Sequence, residues 1–563
     1  MIKPMVFKKE IAMIKYWNHI QRTLLVLAFG LSFTGCHDLT ELNKDPNGPS
    51  EELANPNLLM STVLTGLGTS YENLSFTDLG GVMQHTQMDA WFAGHNDYSW
   101  TGGILSWEGY YGILRNNELM RKRAETLGWE FHQGVALVVR GYTFGLITDL
   151  WGDAPYTDAV KGDQNDVKYR FPKYDQQDVI YKGIINELLQ ANDVLSKADG
   201  AYESVLPNAD VFFAGKASKW RRLANSLILR YAMRLSEKDP AFARQTLETI
   251  LGQPDKYPVI TQIADEPSMA YVGKNSGDSW PSNTVYDSGG SNYRRLKMCA
   301  TLVERLRALQ DPRLTVWAKR VEIPIQVDAT LPAKTDKIVN GVRLVSSDVV
   351  QGIAINTNTD YVGLPPSVSQ NPSTYNLNPT PGQSSVNPHV SYLNEIYQKA
   401  EGPLLRARLL TAAEVNFILA EAAVKGWKTQ GTAKEYYEQA VKNSFDVWGK
   451  SANYNIYIQQ ATVAFAGTQQ QIIEQKWIAS WSTAAQSWFD YRRTGFPALK
   501  AGPAAKRTVL PLRLPYMQTE LTVNQANAEE ALRRIEKTAH SQADNENSPW
   551  SKSWLLQGTN KPW

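Results

Sequence analysis

The sequence predicts a mainly α-helical protein, a scaffold of helix pairs carrying long irregular loops. Three observations lead there. Apolar residues recur at steps of three and four in segment after segment. Thr-x-x-Glu and Thr-x-x-Gln start signals precede several of these segments. Between them lie Gly-, Asn-, Pro- and aromatic-rich stretches too long to be ordinary turns.

Taken in chain order, Val135, Val138, Val139, Tyr142 and Leu146 form one helical stripe, ended by Gly152 with Pro155 just beyond. Asp175 stands where it would cap a second helix, faced by Ile180, Ile184, Leu188, Ala191 and Leu195. Trp220, Ala224, Leu227, Tyr231 and Leu235 make a third stripe. Thr411 with Glu414 and Thr432 with Glu435 read as capping boxes for two helices joined through Gly426 to Gly431. That pair looks like a tetratricopeptide hairpin, although no regular repeat runs along the chain. Thr468 with Gln471 opens a further helix, whose face of Ile473, Trp477, Trp481, Ala484 and Trp488 belongs in a core. Val321 to Val350 alternates enough to hold a short β-ribbon. Irregular insertions are expected at about 85–112, 265–293 and 321–400, and long loops of this kind usually carry function.

The N-terminus has its own logic. Lys3, Lys8, Lys9, Lys15 and Arg22 precede an apolar run from Leu24 to Phe33, then Thr34-Gly35 and Cys36. A basic region, a short apolar core and a small-residue pair make a secretory leader over residues 1–35. A cysteine directly after the pair resembles a bacterial lipobox, with Phe33 where leucine is usual. Cys36 would then carry a diacylglyceryl group, followed by a tether over 36–50 and a single domain over 51–563. No later apolar run is long enough to span a bilayer, so the lipid is the expected membrane contact.

The chain has 58 basic and 56 acidic residues. Five of the basic residues and one acid lie before Cys36, which leaves the remainder close to −2. That balance offers no footprint for nucleic acid. With Cys36 lipidated, Cys299 has no disulfide partner and reads as a small buried hydrophobe. The motifs His-Glu-x-x-His, Gly-x-Ser-x-Gly, the Gly/Lys phosphate loop and Gly-x-Gly-x-x-Gly are all missing. The histidines show no ligand spacing, and Asp544 to Asn547 reads as a solvated tail rather than a calcium loop. No enzyme activity, cofactor or metal is therefore expected.

Several blocks stand out in order along the chain: Leu42-Asn43-Lys44-Asp45-Pro46-Asn47, Arg140-Gly141-Tyr142, Asp149-Leu150-Trp151-Gly152-Asp153-Ala154-Pro155-Tyr156 and Lys219-Trp220-Arg221-Arg222-Leu223-Ala224-Asn225-Ser226-Leu227. Glu414-Val415-Asn416-Phe417-Ile418-Leu419-Ala420-Glu421-Ala422 and Trp488-Phe489-Asp490-Tyr491-Arg492-Arg493-Thr494-Gly495 continue the series. Together they resemble the SusD/RagB family of nutrient-binding outer-membrane lipoproteins. The resemblance implies tetratricopeptide-like helix pairs on one side and a loop-built ligand-binding face on the other. It also implies an oligosaccharide or oligopeptide ligand, a SusC-like TonB-dependent barrel as partner, and a place on the outer membrane facing the exterior. In glycan-binding relatives an aromatic and an amide side chain of an early loop contact the ligand. By that analogy the candidates are Trp91, Asn96, Tyr98 and Trp100, with Trp280 and Tyr286 in the second insertion. Aromatic faces and amide rims suit hydroxyl-rich ligands. Two rival readings stay open: a surface glycoside hydrolase, and a helical-repeat adaptor whose aromatics at 85–112 are buried.

Overall fold

A computed structural model describes residues 54–89, 94–100, 105–368, 375–379, 386–559 and 561. Helix α1 (Pro56–Glu72) starts where the Asn55 side chain accepts from the Asn57 amide and Pro56 takes the first turn. Then come α2 (Glu108–Leu127), α3 (Glu130–Trp151), α4 (Gln177–Val194), α5 (Ala217–Arg234) and α6 (Pro240–Leu251), each packed on the one before it. A second group holds α7 (Ala412–Val424), α8 (Ala433–Val447), α9 (Gln469–Ala479) and α10 (Ala484–Thr494). It joins the first where α7 and α10 meet α5. Asn55–Trp563 forms one compact unit. Among the described residues no helix is long and apolar enough to cross a membrane.

Strands are few and short, and they serve the loops. β1 (Thr86–Met88), β2 (Ser268–Ala270), β3 (Leu296–Met298), β4 (Ile325–Val327), β5 (Asp336–Val339), β6 (Val342–Val345) and β7 (Arg406–Arg408) make three small sheets. β1 pairs antiparallel with β3, and β2 with β7. The β-ribbon expected within 321–350 is the order β4-β6-β5, turned at Asn340-Gly341, both with positive φ.

The mainly α reading holds, and so do the stripes of α3, α4 and α5. Ile180, Ile184, Leu188, Ala191 and Leu195 are all buried. Small residues set how closely the helices approach: a Cβ on Gly145 of α3 would fall 2.1 Å from the Tyr231 hydroxyl of α5. Thr432 and Glu435 form a full capping box. Thr411 caps α7, but Glu414 turns away from it to pair with Arg230 at 2.7 Å. Cys299 is buried as expected, and burial pushes its thiol up to about 12.

Three further expectations are corrected. Asp175 does not cap α4: its carboxylate accepts from the amides of Tyr156 and Thr157, and Asp153 accepts from the Gln177 amide instead. The Trp477–Trp488 stripe is not one helix, because the chain breaks between α9 and α10 at Ser480-Trp481-Ser482-Thr483. There the Ser480 hydroxyl donates back to the Lys476 carbonyl. All three Trp side chains are nevertheless core. Asp544 to Asn547 is no free tail, since Asp544 pairs with Arg507 at 2.7 Å and Asn547 clasps the Tyr516 backbone through both amide atoms.

The helix groups meet around buried charges. Asp490 of α10 takes Lys476 of α9 at 2.7 Å, Arg493 at 2.9 Å and Arg234 of α5 at 3.6 Å. Arg493 forks onto both oxygens of Glu421 in α7, and Arg234 also reaches Asp149 of α3 at 3.1 Å. Burial alone would raise the Asp490 carboxyl. Lys476, Arg493 and Arg234 outweigh it and hold the group well below its ordinary value. Removing one member leaves a buried charge uncompensated. Arg493→Ala should therefore destabilise the fold by roughly 3–5 kcal/mol in denaturant unfolding. Arg493→Lys should cost less, because it keeps the charge and loses only the fork.

Candidate functional site

The segment between β2 and β3 is an irregular loop made rigid by its own side chains. Asn275 caps a short turn, and Asp278 accepts from the Lys274 amide at 2.7 Å and the Asn275 amide at 2.8 Å. Asp287 accepts from the Asn292 amide at 2.8 Å and so fixes the start of the short helix Ser291–Arg295. Trp280 is the anchor. Its amide donates to the Ala400 carbonyl at 2.8 Å, its indole donates to Ser282, and its ring meets Phe76 edge-on at 4.8 Å. Asn283 then accepts from the Tyr286 amide at 2.9 Å, while the Tyr286 hydroxyl donates to the Gly273 carbonyl at 3.0 Å. The Tyr286 ring is thus pinned at both ends and still 43% exposed, with Val285 and Val272 exposed beside it in the same loop.

Two hollows open along this loop. One of about 370 Å³ is lined by Thr69, Asn73, Thr77, Ser276, Asn292 and Arg295. The other, of about 340 Å³, is lined by Thr284, Tyr293, Arg294, Lys319, Glu322 and Tyr392. Both fall in the size range of small-ligand sites and present hydroxyl, amide and cationic groups. β3 runs beneath them, and there the fully buried Lys297 lies 3.8 Å from Asp89 and 3.8 Å from the Tyr392 ring centre. Burial lowers the Lys297 ammonium to about 7 against the pull of Asp89. A third hollow of about 250 Å³ lies at Trp151, Asp153, Tyr516 and Arg534, where Arg534 already satisfies Asp153 at 2.7 Å.

The sequence-based candidates divide sharply. Asn96 is fully buried; it accepts from the Met88 amide and donates to the Met88 carbonyl, clamping its loop to β1. Tyr98 is fully buried, and Trp100 is buried with its indole on the Gly94 carbonyl and its ring edge-on to Trp488. Trp280 is 1% exposed. The reading of these four as exposed ligand contacts is therefore corrected: in this structure they anchor loops, and a ring with no free face cannot stack on a sugar. Tyr286 alone among the described candidates is exposed, and Trp91 and Cys36 lie outside the described residues. Sequence reasoning passed over Asn292, Arg294 and Arg295, which only the folded loop brings to the hollows. The Gly289-Gly290 turn before Ser-Asn-Tyr-Arg-Arg was the available signal.

Beneath the early loop, His85 donates to the Trp477 carbonyl at 3.0 Å, and His95 fills space left by Gly81, where a Cβ would come within 2.3 Å of the ring. Burial drops His85 to about 3 and His95 to about 4. Both are therefore neutral framework groups at ordinary pH.

The comparisons agree with this architecture. The chain belongs to the SusD-like family described as starch-binding and associating with the outer membrane, whose model matches residues 46–330 and 347–517. Among solved structures, the chain is similar to a Bacteroides vulgatus protein described as an outer-membrane protein involved in nutrient binding. That match has 25% identity and a TM-score of 0.68, covering 90% of this chain and 100% of the other. A SusD homologue of Bacteroides fragilis matches at 22% identity and TM-score 0.66, over 89% and 99% of the two chains. A chitin-binding SusD homologue of Flavobacterium johnsoniae matches at 20% identity and TM-score 0.66, over 88% and 99%. No functionally curated protein matches the sequence.

Two outcomes follow for the site's framework. Trp280→Ala should lower stability by about 3–5 kcal/mol, whereas Tyr286→Ala should leave the melting temperature within about a degree or two, as surface changes do. For His85, the unfolded chain takes up a proton near pH 6.5 that the folded chain refuses until about 3. Its contribution is therefore complete above pH 6.5 and is lost as the pH falls. The stability deficit of His85→Gln at pH 7 should shrink by about 2 kcal/mol at pH 5, read from paired denaturation curves.

Proposed function

We propose that this protein is a non-catalytic lipoprotein of the outer-membrane surface that captures an oligomeric glycan and passes it to a SusC-like, TonB-dependent barrel. The observation that carries the reading is Tyr286, an exposed aromatic ring held rigid at both ends on the loop whose neighbouring residues line two polar hollows. Stacking on a sugar ring needs a face that is already in place, because ordering a mobile side chain would consume the affinity gained. The hydroxyls and amides of Thr69, Asn73, Thr284 and Asn292 supply rims suited to sugar hydroxyls. The family's starch-binding description and the chitin-binding relative support a glycan over a peptide.

Capture is a mechanism of geometry. A preformed groove holds an oligomer without bond making, and the anchor on Cys36 keeps the loaded body beside its transporter. Several acyl chains on one residue make such anchoring lasting, where one chain would be marginal. Trp91 remains a proposed further contact. The burial of Tyr98 and Trp100 is what the helical-repeat adaptor reading expects, so that reading is the one left standing if no glycan binds.

Titration of the purified protein with neutral and acidic oligosaccharides (maltotetraose, chitotetraose and tetragalacturonate) and a tetrapeptide set tests capture. A glycan should bind, and Tyr286→Ala should weaken it about tenfold, about 1.4 kcal/mol, with stability unchanged. Binding of peptides alone, or of nothing, would overturn the proposal. For the anchor, Cys36→Ser should move the protein from the membrane to the soluble fraction, and a fully membrane-bound variant would refute lipidation.

A further inference from the structure

The two hollows share a property that a neutral glycan does not need. Arg294 and Arg295 are adjacent at the end of the short helix Ser291–Arg295, and one lines each hollow: Arg295 the larger, Arg294 the smaller. Among the described residues neither forms an ion pair with a carboxylate. Arg295 reaches only the Ser291 carbonyl, at 3.3 Å, and the Asn292 side-chain oxygen. The Nε of Arg294 is buried and has no acceptor at all.

The acids nearby are committed elsewhere. Asp278 and Asp287 are occupied by backbone amides of their own loop. Asp89 faces Lys297, and Glu322 and Glu395 both hold Lys319, at 3.0 and 3.3 Å. Among the described residues lining the larger hollow, Arg295 is the only charged one. A guanidinium kept partly out of water without a counter-ion is costly, and its planar fork matches a carboxylate or a sulfate through two parallel hydrogen bonds.

We propose that the glycan taken at this site is acidic, bearing uronate carboxylates or sulfate esters that Arg295 and Arg294 receive in the two hollows. This rests on the glycan-capture reading and sharpens its substrate class. Tyr286 supplies contact that any sugar ring can use, while the arginines discriminate by charge. A neutral chain would leave both guanidinium groups without an anionic partner.

Calorimetric titration of the whole protein with tetragalacturonate, a chondroitin sulfate tetrasaccharide and maltotetraose decides this. One or both acidic probes should bind more tightly than maltotetraose, and which one binds separates carboxylate from sulfate recognition. Their affinity should fall steeply as NaCl rises to roughly half-molar. Arg294→Gln and Arg295→Gln should each weaken acidic binding about tenfold or more, with melting temperatures unchanged. Arg→Lys at either position should restore only part, since the charge returns without the fork. Tighter binding of maltotetraose would overturn the acidic reading and leave glycan capture standing. Acidic binding indifferent to salt or to both substitutions would overturn it as well. Failure of all three sugars would overturn both readings together.

Discussion

The buried charge cluster around Asp490 is the constraint on which the rest of the structure depends. Asp490 receives Lys476, Arg493 and Arg234, and through them Glu421 and Asp149 are drawn into the same dry interior. Five helices, α3, α5, α7, α9 and α10, thereby share one set of contacts. Apolar packing tolerates sliding, because one methyl group is much like another. A buried carboxylate with several cationic partners does not, because every missed hydrogen bond costs the desolvation of both groups. The cluster therefore sets the mutual register of helices that apolar faces alone would hold loosely. Arg492 extends it by donating to the carbonyls of Leu512 and Asp149, which fastens the chain after α10 to the end of α3.

On that frame the loops are anchored by polar atoms rather than by regular sheet. Short strands pair distant segments, as where β1 meets β3, and single side chains do the remainder: Asn96 on Met88, Trp280 with Ser282 on the Tyr397 carbonyl, Tyr293 on the Leu393 carbonyl. Backbone with no ladder must find partners of this kind if it is to be ordered. The result is a loop stiff enough to present Tyr286, Asn292, Arg294 and Arg295 in fixed positions. On the proposed reading, rigidity of these groups before a ligand arrives would be what lets a modest groove hold an oligomer.

How legible this was in the sequence depends on how local the deciding physics is. Helix stripes, the Thr432–Glu435 box and the β-ribbon within 321–350 were all readable, since each depends on residues a few positions apart. Asp175 was misread because its true partners, Tyr156 and Thr157, come from the far side of a loop. The stripe through Trp477, Trp481 and Trp488 kept its helical period across a break, because the period reports burial and not the continuity of hydrogen bonds. Of the aromatic and amide residues marked for the candidate site, Tyr286 is exposed, whereas Asn96, Tyr98, Trp100 and Trp280 face inward, because exposure is set by distant segments.

By itself, the sequence determined a helical scaffold with elaborate insertions, the starts of α7, α8 and α9, the end of α3 and a core rich in tryptophan. Those properties follow from near neighbours and from composition. Only the tertiary structure decided which aromatics keep a free face and which charges lack a partner. Exposure of a ring or a guanidinium depends on what distant segments pack against it. Trp280 and Tyr286 sit six residues apart in one loop with the same chemistry to offer, and the Ala400 and Tyr397 carbonyls and Phe76 bury the first and leave the second open.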